Sequence, residues 1–211
     1  MVERIRGFGG TAIARRVDIG EDDEVRDLVE AAVADLGGLD IIHANAADLS
    51  AEAIGRDTDV VELPLEAFDL TIRAGARGHL LCARHAIPRM LERGGGAVIF
   101  TSSGSSINGE PQRPSYAMAK GATNTLVRHI SWRWGKDGIR ANAVAPGLVR
   151  TARNFEYLDD EDTLGAIMRT IRAPRPGRPE DIAAMVAFLA SDDGEWITGQ
   201  VIAVDGGSTM R

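Results

Sequence analysis

Gly37-Gly38-Leu39-Asp40-Ile41-Ile42-His43-Ala44 decides the fold. From Leu39 to Ala44 the run is apolar apart from Asp40, the pattern of a strand buried on both faces. Such strands belong to parallel sheets covered by helices. The two glycines end a helical stretch, Glu21–Leu36, whose first turn is acidic and whose Val25, Leu28, Val29, Ala32 and Val33 share one face. Further back, Ala12–Val17 reads as another strand, closed by Asp18 and Gly20.

Moving outward in the other direction, Ala47–Glu62 is a loop of small and acidic residues, and Pro64 opens a helical pattern over Leu65–Leu91. Gly94–Gly96 breaks that pattern before a strand at Ala97–Thr101. Ser115–Gly135 reads as a helix, Ile139–Ala145 as a strand, and Pro146–Gly147 as the turn beyond it. Pro179–Ala190 is a short helix, and Val201–Val204 a last strand before Asp205-Gly206-Gly207. Strands separated by helices of this length predict an α/β fold with a doubly wound parallel sheet, organised as one domain over 1–211. Ligands of such sheets bind beyond the carboxyl ends of the strands, so the loops after Val17, Ala44, Thr101, Ala145 and Val204 are the ones to inspect.

Composition narrows the function. With 44% hydrophobic and 26% charged residues, neither disorder nor a fibrous repeat fits. The net charge of −7 carries no basic block, which argues against nucleic acid as a partner. The longest strongly apolar run, Ala183–Ala190, is too short to span a bilayer, and Met1–Gly10 lacks the apolar core of a signal peptide. A lone cysteine, Cys82, rules out an internal disulfide and suits a reducing, cytoplasmic setting. His43, His79, His85 and His129 have no metal-ligand spacing, and no metal is expected.

The chemistry-bearing residues are Tyr116-Ala117-Met118-Ala119-Lys120 and the preceding Thr101-Ser102-Ser103-Gly104. Tyr and Lys four apart share a helix face, so an ammonium can approach the phenol and favour its ionised form. Ser103 follows a strand, where a hydroxyl can hydrogen-bond a substrate carbonyl. Each signal alone also fits an exposed amphipathic helix or an ordinary polar turn.

Together with their surroundings these residues resemble the short-chain dehydrogenase/reductase family. Leu39 to Ala47 resembles that family's strand ending in Asn-Asn-Ala-Gly. Gly138 to Gly147 matches its strand leading to Pro-Gly, with Thr151 downstream, and Gly177 to Asp181 and Ile197 to Gly207 match its closing segments. The resemblance runs from about Gly10 onward and implies a Rossmann-like fold and an oxidoreductase that interconverts an alcohol and a carbonyl with NAD or NADP. It implies that Tyr116 exchanges the proton at the substrate oxygen, that Lys120 lowers its pKa and holds ribose hydroxyls, and that Ser103 orients the substrate. Asp18 would lie against the adenine; Asn45, Ala46 and Ala47 would line the cofactor cleft; Gly147, Val149 and Thr151 would meet the nicotinamide carboxamide. The implied partners are a small-molecule substrate and further copies of the chain, as a dimer or tetramer.

Two departures from the family pattern carry expectations of their own. The first βαβ unit, with its turn of the Thr-Gly-x-x-x-Gly-x-Gly kind, has no counterpart: neither Gly7–Gly10 nor Gly94–Gly96 is that motif. An N-terminally truncated member would bind dinucleotide weakly, for want of the N–H groups that hold the pyrophosphate. It would also leave Ala12–Val17 separated from Leu39–Ala44, so either Ala12–Val17 moves beside Leu39–Ala44, parallel to it, or another subunit's strand fills the slot. The second departure is Gly75, where the family has an asparagine that anchors a water connecting to the lysine. Gly75 and Gly78 also weaken the helix that holds them, by about 1 kcal/mol each relative to alanine. The rival to an enzyme is therefore a catalytically inactive remnant that binds full-length relatives, and dehydration or epimerisation is a third reading. In the segment that governs substrate choice in the family, Arg150–Pro176, the residues Phe155, Tyr157, Leu158, Ile167, Met168 and Ile171 suggest a partly apolar substrate. Asp159–Asp162 reads as the acidic start of a helix there.

Overall fold

The computed structural model describes residues 1–152 and 160–210. Four of the five expected strands form one parallel sheet in chain order: β1 (Ile41–Ala44), β2 (Gly96–Thr101), β3 (Ile139–Pro146) and β4 (Val201–Val204). Ala44 pairs with Phe100, Thr101 with Val144, and Pro146 with Val204, so the carboxyl ends of all four strands lie along one edge. The helices are α1 (Val2–Gly7), α2 (Asp22–Leu36), α3 (Leu65–Ile72), α4 (Gly78–Leu91), α5 (Pro114–Trp134), α6 (Glu161–Met168) and α7 (Pro179–Ala190). Among the described residues no helix is long and apolar enough to cross a membrane.

The two-residue alternation of a strand explains the two cores. Val98 and Phe100 point to one face, where Leu81, Ala86 and Met90 of α4 and Val127 and Ile130 of α5 cover them, with Val25 of α2 in the same cluster. Ile99 points to the other, with Val144 and with Leu189 of α7, flanked by Ile182, Met185 and Val186. Cys82 is buried in the first core and its thiol is pushed up to about 11 by burial, so it is a packing residue.

Ala12–Val17 is a correction. It forms no strand, and Ile13 stays 46% exposed. Its polar contacts are with the flanking helices α1 and α2: Arg6 donates to the Ala12 carbonyl, and Arg15 pairs with Asp35 at 3.0 Å. The slot beside β1 therefore holds no strand among the described residues, and Ile41 on that edge is 45% exposed. Of the apolar run read as buried on both faces, only Ala44 is buried. A strand without a neighbour gains no ladder bonds, and two exposed arginines give Ala12–Val17 no apolar face to set a register.

The helical pattern over Leu65–Leu91 is also interrupted. Between α3 and α4, Arg73–Arg77 forms a turn of π-helix centred on Gly75. A Cβ at Gly75 would lie 2.9 Å from the Ala119 Cβ on α5, and one at Gly78 would lie 2.6 Å from Ile19 Cδ1. The two glycines thus mark close packing as well as weak helix propensity. Asp160 caps α6 by accepting from the Thr163 N–H at 2.8 Å, so Asp160–Asp162 start a helix as expected, while Asp159 is outside the described residues.

Placing the family's asparagine at position 75 should crowd Ala119. Gly75→Asn is expected to lower the unfolding free energy by about 1–3 kcal/mol in urea titrations. An unchanged midpoint would mean that α5 can move away freely.

Candidate active site

The N-terminus of α5 is built by a distant loop. Pro114 occupies the first turn, where a missing N–H costs nothing. Arg113 before it has φ 65°, the one non-glycine residue with positive φ among those described. Its N–H donates to the carbonyls of Asp57 and Thr58, at 3.1 and 2.9 Å, which holds that conformation. The Asp57 carboxylate, buried, accepts from the N–H groups of Ser115 at 3.1 Å and Tyr116 at 2.9 Å. A side chain from the Ala47–Glu62 loop therefore satisfies helix donors that would otherwise be orphaned, and fixes Tyr116 in the first turn.

One turn on, Lys120 is 1% exposed. Its Nζ donates to the Thr101 carbonyl at the end of β2, at 2.7 Å, and lies 5.7 Å from the centroid of the Tyr116 ring. Among the described residues no carboxylate forms an ion pair with it, and burial draws its pKa down to about 8. The Tyr116 phenol lies close to Ser103. Burial, the largest influence, pushes the phenol up; Ser103 and Arg113 pull it down, and Glu110 pushes it up. Ser103, Tyr116 and Gly147 line one cavity of about 320 Å³, with Asn108, Glu110 and Arg113. Polar and apolar atoms share its wall about evenly. Phe155, Tyr157 and Leu158, on which the expectation of a partly apolar substrate rests, are outside the described residues, and Ile171 is buried, beside Gly206.

A second cleft, of about 720 Å³, is lined by Asp18, Ala46, Ala47, Arg16 and Arg73 among others. Asp18 is held by Arg73 at 2.8 Å and by the Gly20 N–H at 2.9 Å, and Arg73, its main partner, lowers its pKa. Asn45 reaches the first cluster: Thr101 Oγ1 donates to its Oδ1 at 2.8 Å and contacts His43 Nε2 at 2.9 Å. Gly147 follows β3, its N–H donating to the Val204 carbonyl at 3.2 Å. Val149 forms a parallel bridge with Gly177, and Thr151 is exposed just beyond it.

Sequence reading missed several residues around this centre. His79 is fully buried, with Nε2 3.1 Å from the Ala46 carbonyl and Nδ1 3.0 Å from Thr123 Oγ1. A carbonyl only accepts, so Nε2 carries the proton, while Nδ1 faces the Thr123 hydroxyl, which also bonds the Ala119 carbonyl at 3.1 Å. Burial, with Lys120 adding to it, draws the pKa down to about 3, so the ring is a neutral clamp on the Ala46 loop. Asp57 was equally invisible, since its partners lie 58 and 59 residues away.

The sheet order, the parallel register and the helices on both faces define a Rossmann-like α/β protein. Residues 1–209 match the family model described as Enoyl-(Acyl carrier protein) reductase. A probable short-chain type dehydrogenase/reductase of Bradyrhizobium diazoefficiens is 44% identical over 194 residues, covering 90% of this chain and 66% of that protein. A probable tetrahydroxynaphthalene reductase of Zymoseptoria tritici is 37% identical over 220 residues, covering 100% and 80%. Among solved structures, a 7α-hydroxysteroid dehydrogenase complexed with NADH and 7-oxo glycochenodeoxycholic acid superposes with a TM-score of 0.89 at 28% identity, covering 100% of this chain and 79% of that one. A blue fluorescent protein from a metagenomic library, in complex with NADPH, gives 0.86 at 29%, covering 99% and 81%. The chain belongs to the short-chain dehydrogenase/reductase family, and it spans about two thirds to four fifths of the length of these relatives.

The neutral clamp has a pH signature. Between the ordinary histidine pKa of about 6.5 and the depressed value of about 3, the unfolded chain binds a proton that folded His79 refuses. Stability should therefore fall as pH drops through that window, His79 contributing at most about 1.4 kcal/mol per pH unit. Urea unfolding at a series of pH values should give a shallower fall for His79→Gln; equal slopes would contradict the burial of a neutral ring.

Proposed function

We propose that this chain interconverts an alcohol and a carbonyl, with NAD or NADP as hydride carrier and Ser103, Tyr116 and Lys120 as the reacting set. The observation that carries this reading is the buried Lys120 ammonium, unpaired by any described carboxylate, beside a phenol that lines one cavity together with Ser103. A cation placed there acts on the phenol by favouring its ionised form, since no described acid neutralises it.

The donor set suits a nicotinamide nucleotide. Lys120 uses one of its three N–H groups on Thr101 and has two for vicinal ribose hydroxyls. The Asn45–Ala47 loop, steadied by Thr101 and His79, stands at the next strand end. Gly147, Val149 and Thr151, after β3, are proposed to meet the carboxamide, and Asp18, in the larger cleft, the adenine. The bound cofactor supplies or takes the hydride, and the protein provides position and electrostatics.

For reduction, Tyr116 gives its phenolic proton to the substrate oxygen as charge grows there. Ser103 orients that oxygen by hydrogen bonding, and Lys120 stabilises the phenolate left behind. For oxidation, the same phenolate accepts the alcohol proton. The apolar groove between α4 and α5, lined by Leu80, Ile87, Leu91, Leu126 and Trp134, supports pairing with a second copy.

Removing the phenolic oxygen tests this directly. In protein that turns over with NADH or NADPH, Tyr116→Phe should lower kcat by about 10²–10⁴-fold, the usual contribution of a general acid–base. Cofactor affinity, read by fluorescence titration, should stay close to that of the parent. Retention of most of the turnover would place the proton transfer elsewhere.

A further inference from the structure

A buried polar cluster behind Ser103 takes no part in the proposed reaction. Ser102 is 1% exposed, and Asn124, on α5, is 7% exposed. Ser102 Oγ donates to Asn124 Oδ1 at 2.6 Å, Asn124 Nδ2 donates to Ser106 Oγ at 2.8 Å, and Ser106 Oγ donates to the Ser103 carbonyl at 2.6 Å. The same carbonyl takes the Ser106 N–H at 3.1 Å, and the Ser102 N–H is fixed to the Val144 carbonyl of β3 at 2.7 Å.

Each proton in this cluster has one place to go. A hydroxyl carries a single hydrogen, so Ser102 commits its own to the amide oxygen and Ser106 its own to the Ser103 carbonyl. Ser106 Oγ is then left to accept from the amide nitrogen. The two hydroxyl oxygens also lie 3.2 Å apart, which closes the cluster. The Asn124 amide therefore meets the chain just before Ser103 and again just after it, once as acceptor and once as donor. An unsatisfied polar group at such depth costs about 1–3 kcal/mol, so neither side of the cluster moves cheaply.

Asn124 follows Tyr116 by eight residues and Lys120 by four, so the three occupy successive turns of α5. We propose that Asn124 is a positioning residue for the reacting set: its amide fastens the Ser102–Ser106 turn to the helix that carries Tyr116 and Lys120, and so sets where Ser103 stands relative to the phenol. It grips Ser103 by the backbone and leaves the Ser103 hydroxyl outside the clamp. Asn124→Asp would still accept from Ser102 but could not donate to Ser106, and Asn124→Leu would do neither.

Charged groups surround Tyr116 as well. Lys120 lies on its own helix, Arg113 lies 5.9 Å from the ring centroid, Glu110 and Asp205 line the same cavity, and Asp57 takes its backbone N–H. None of these belongs to the clamp, so an uncharged substitution at Asn124 or Ser106 removes no charge from around the phenol.

The inference rests on the reading of Ser103 and Tyr116 given above, so its test is chosen to need no turnover. The chain has two tyrosines, Tyr116 and Tyr157, and a Tyr157→Phe background leaves the near-ultraviolet phenolate absorbance to Tyr116 alone. Ser103 draws the Tyr116 pKa down, so releasing the turn should raise the ionisation midpoint. The expected rise is about 0.5–1 pH unit in Asn124→Leu and in Ser106→Ala, with the parent value restored in Ser106→Thr, which keeps the hydroxyl. Combining Asn124→Leu with Ser106→Ala should raise it no further than Asn124→Leu alone, since both remove one clamp. A residue that only stabilised the fold would lower the urea midpoint and leave the titration of the folded protein where it was. An unchanged or lowered Tyr116 midpoint in Ser106→Ala, the milder change, overturns the proposal whether or not Asn124→Leu folds. Retained turnover in Tyr116→Phe would instead overturn the catalytic reading and leave the link between Asn124 and the phenol standing.

Discussion

The buried ammonium of Lys120 is the interaction on which the rest of the site depends. Taking such a charge out of water costs several kcal/mol even after relaxation. The structure offsets part of that cost with one short hydrogen bond to the Thr101 carbonyl and with no described counter-charge. That carbonyl is available because β2 ends at Thr101, where the parallel ladder with β3 gives way to the Ser102–Ser103 turn. The strand end, the helix face and the cavity are therefore parts of one arrangement. A lysine neutralised by a nearby acid would be more stable and would do little to the phenol.

Packing holds that arrangement to a fixed spacing. Gly75 lets the π turn approach Ala119, which sits next to Lys120, and Asp57 fixes the start of α5. His79, on α4 directly after the π turn, reaches over to the Ala46 loop, so one helix supports both clefts. The polar contacts are long-range in sequence, and each joins a loop at a strand's carboxyl end to a helix behind the sheet.

What the sequence made legible has a common cause. β1 to β4 and the helices between them were readable because apolar period and glycine breaks are local properties. Tyr116 and Lys120 were readable because four-residue spacing places them on one helix face, and Ser103 because it follows a strand. Asp57 and His79 were not, because each matters through a partner that only the fold brings near. Ala12–Val17 shows the opposite failure: its local pattern suits a strand, but strand formation needs a neighbour, and the structure provides none. Gly75 was read as a missing amide and a weak helix; its close approach to Ala119 appears only once α5 is in place.

The most direct test is the protonation of Lys120 itself. The chain has two lysines, Lys120 and Lys136, so carbon-13 labelling at Cε gives two resonances, and Lys136→Arg assigns them. The account predicts that the Lys120 signal titrates with a midpoint near 8 in the folded protein, as burial without a counter-ion requires. A midpoint at the ordinary lysine value of about 10.4 would mean that the ammonium is solvated or paired, and would contradict it.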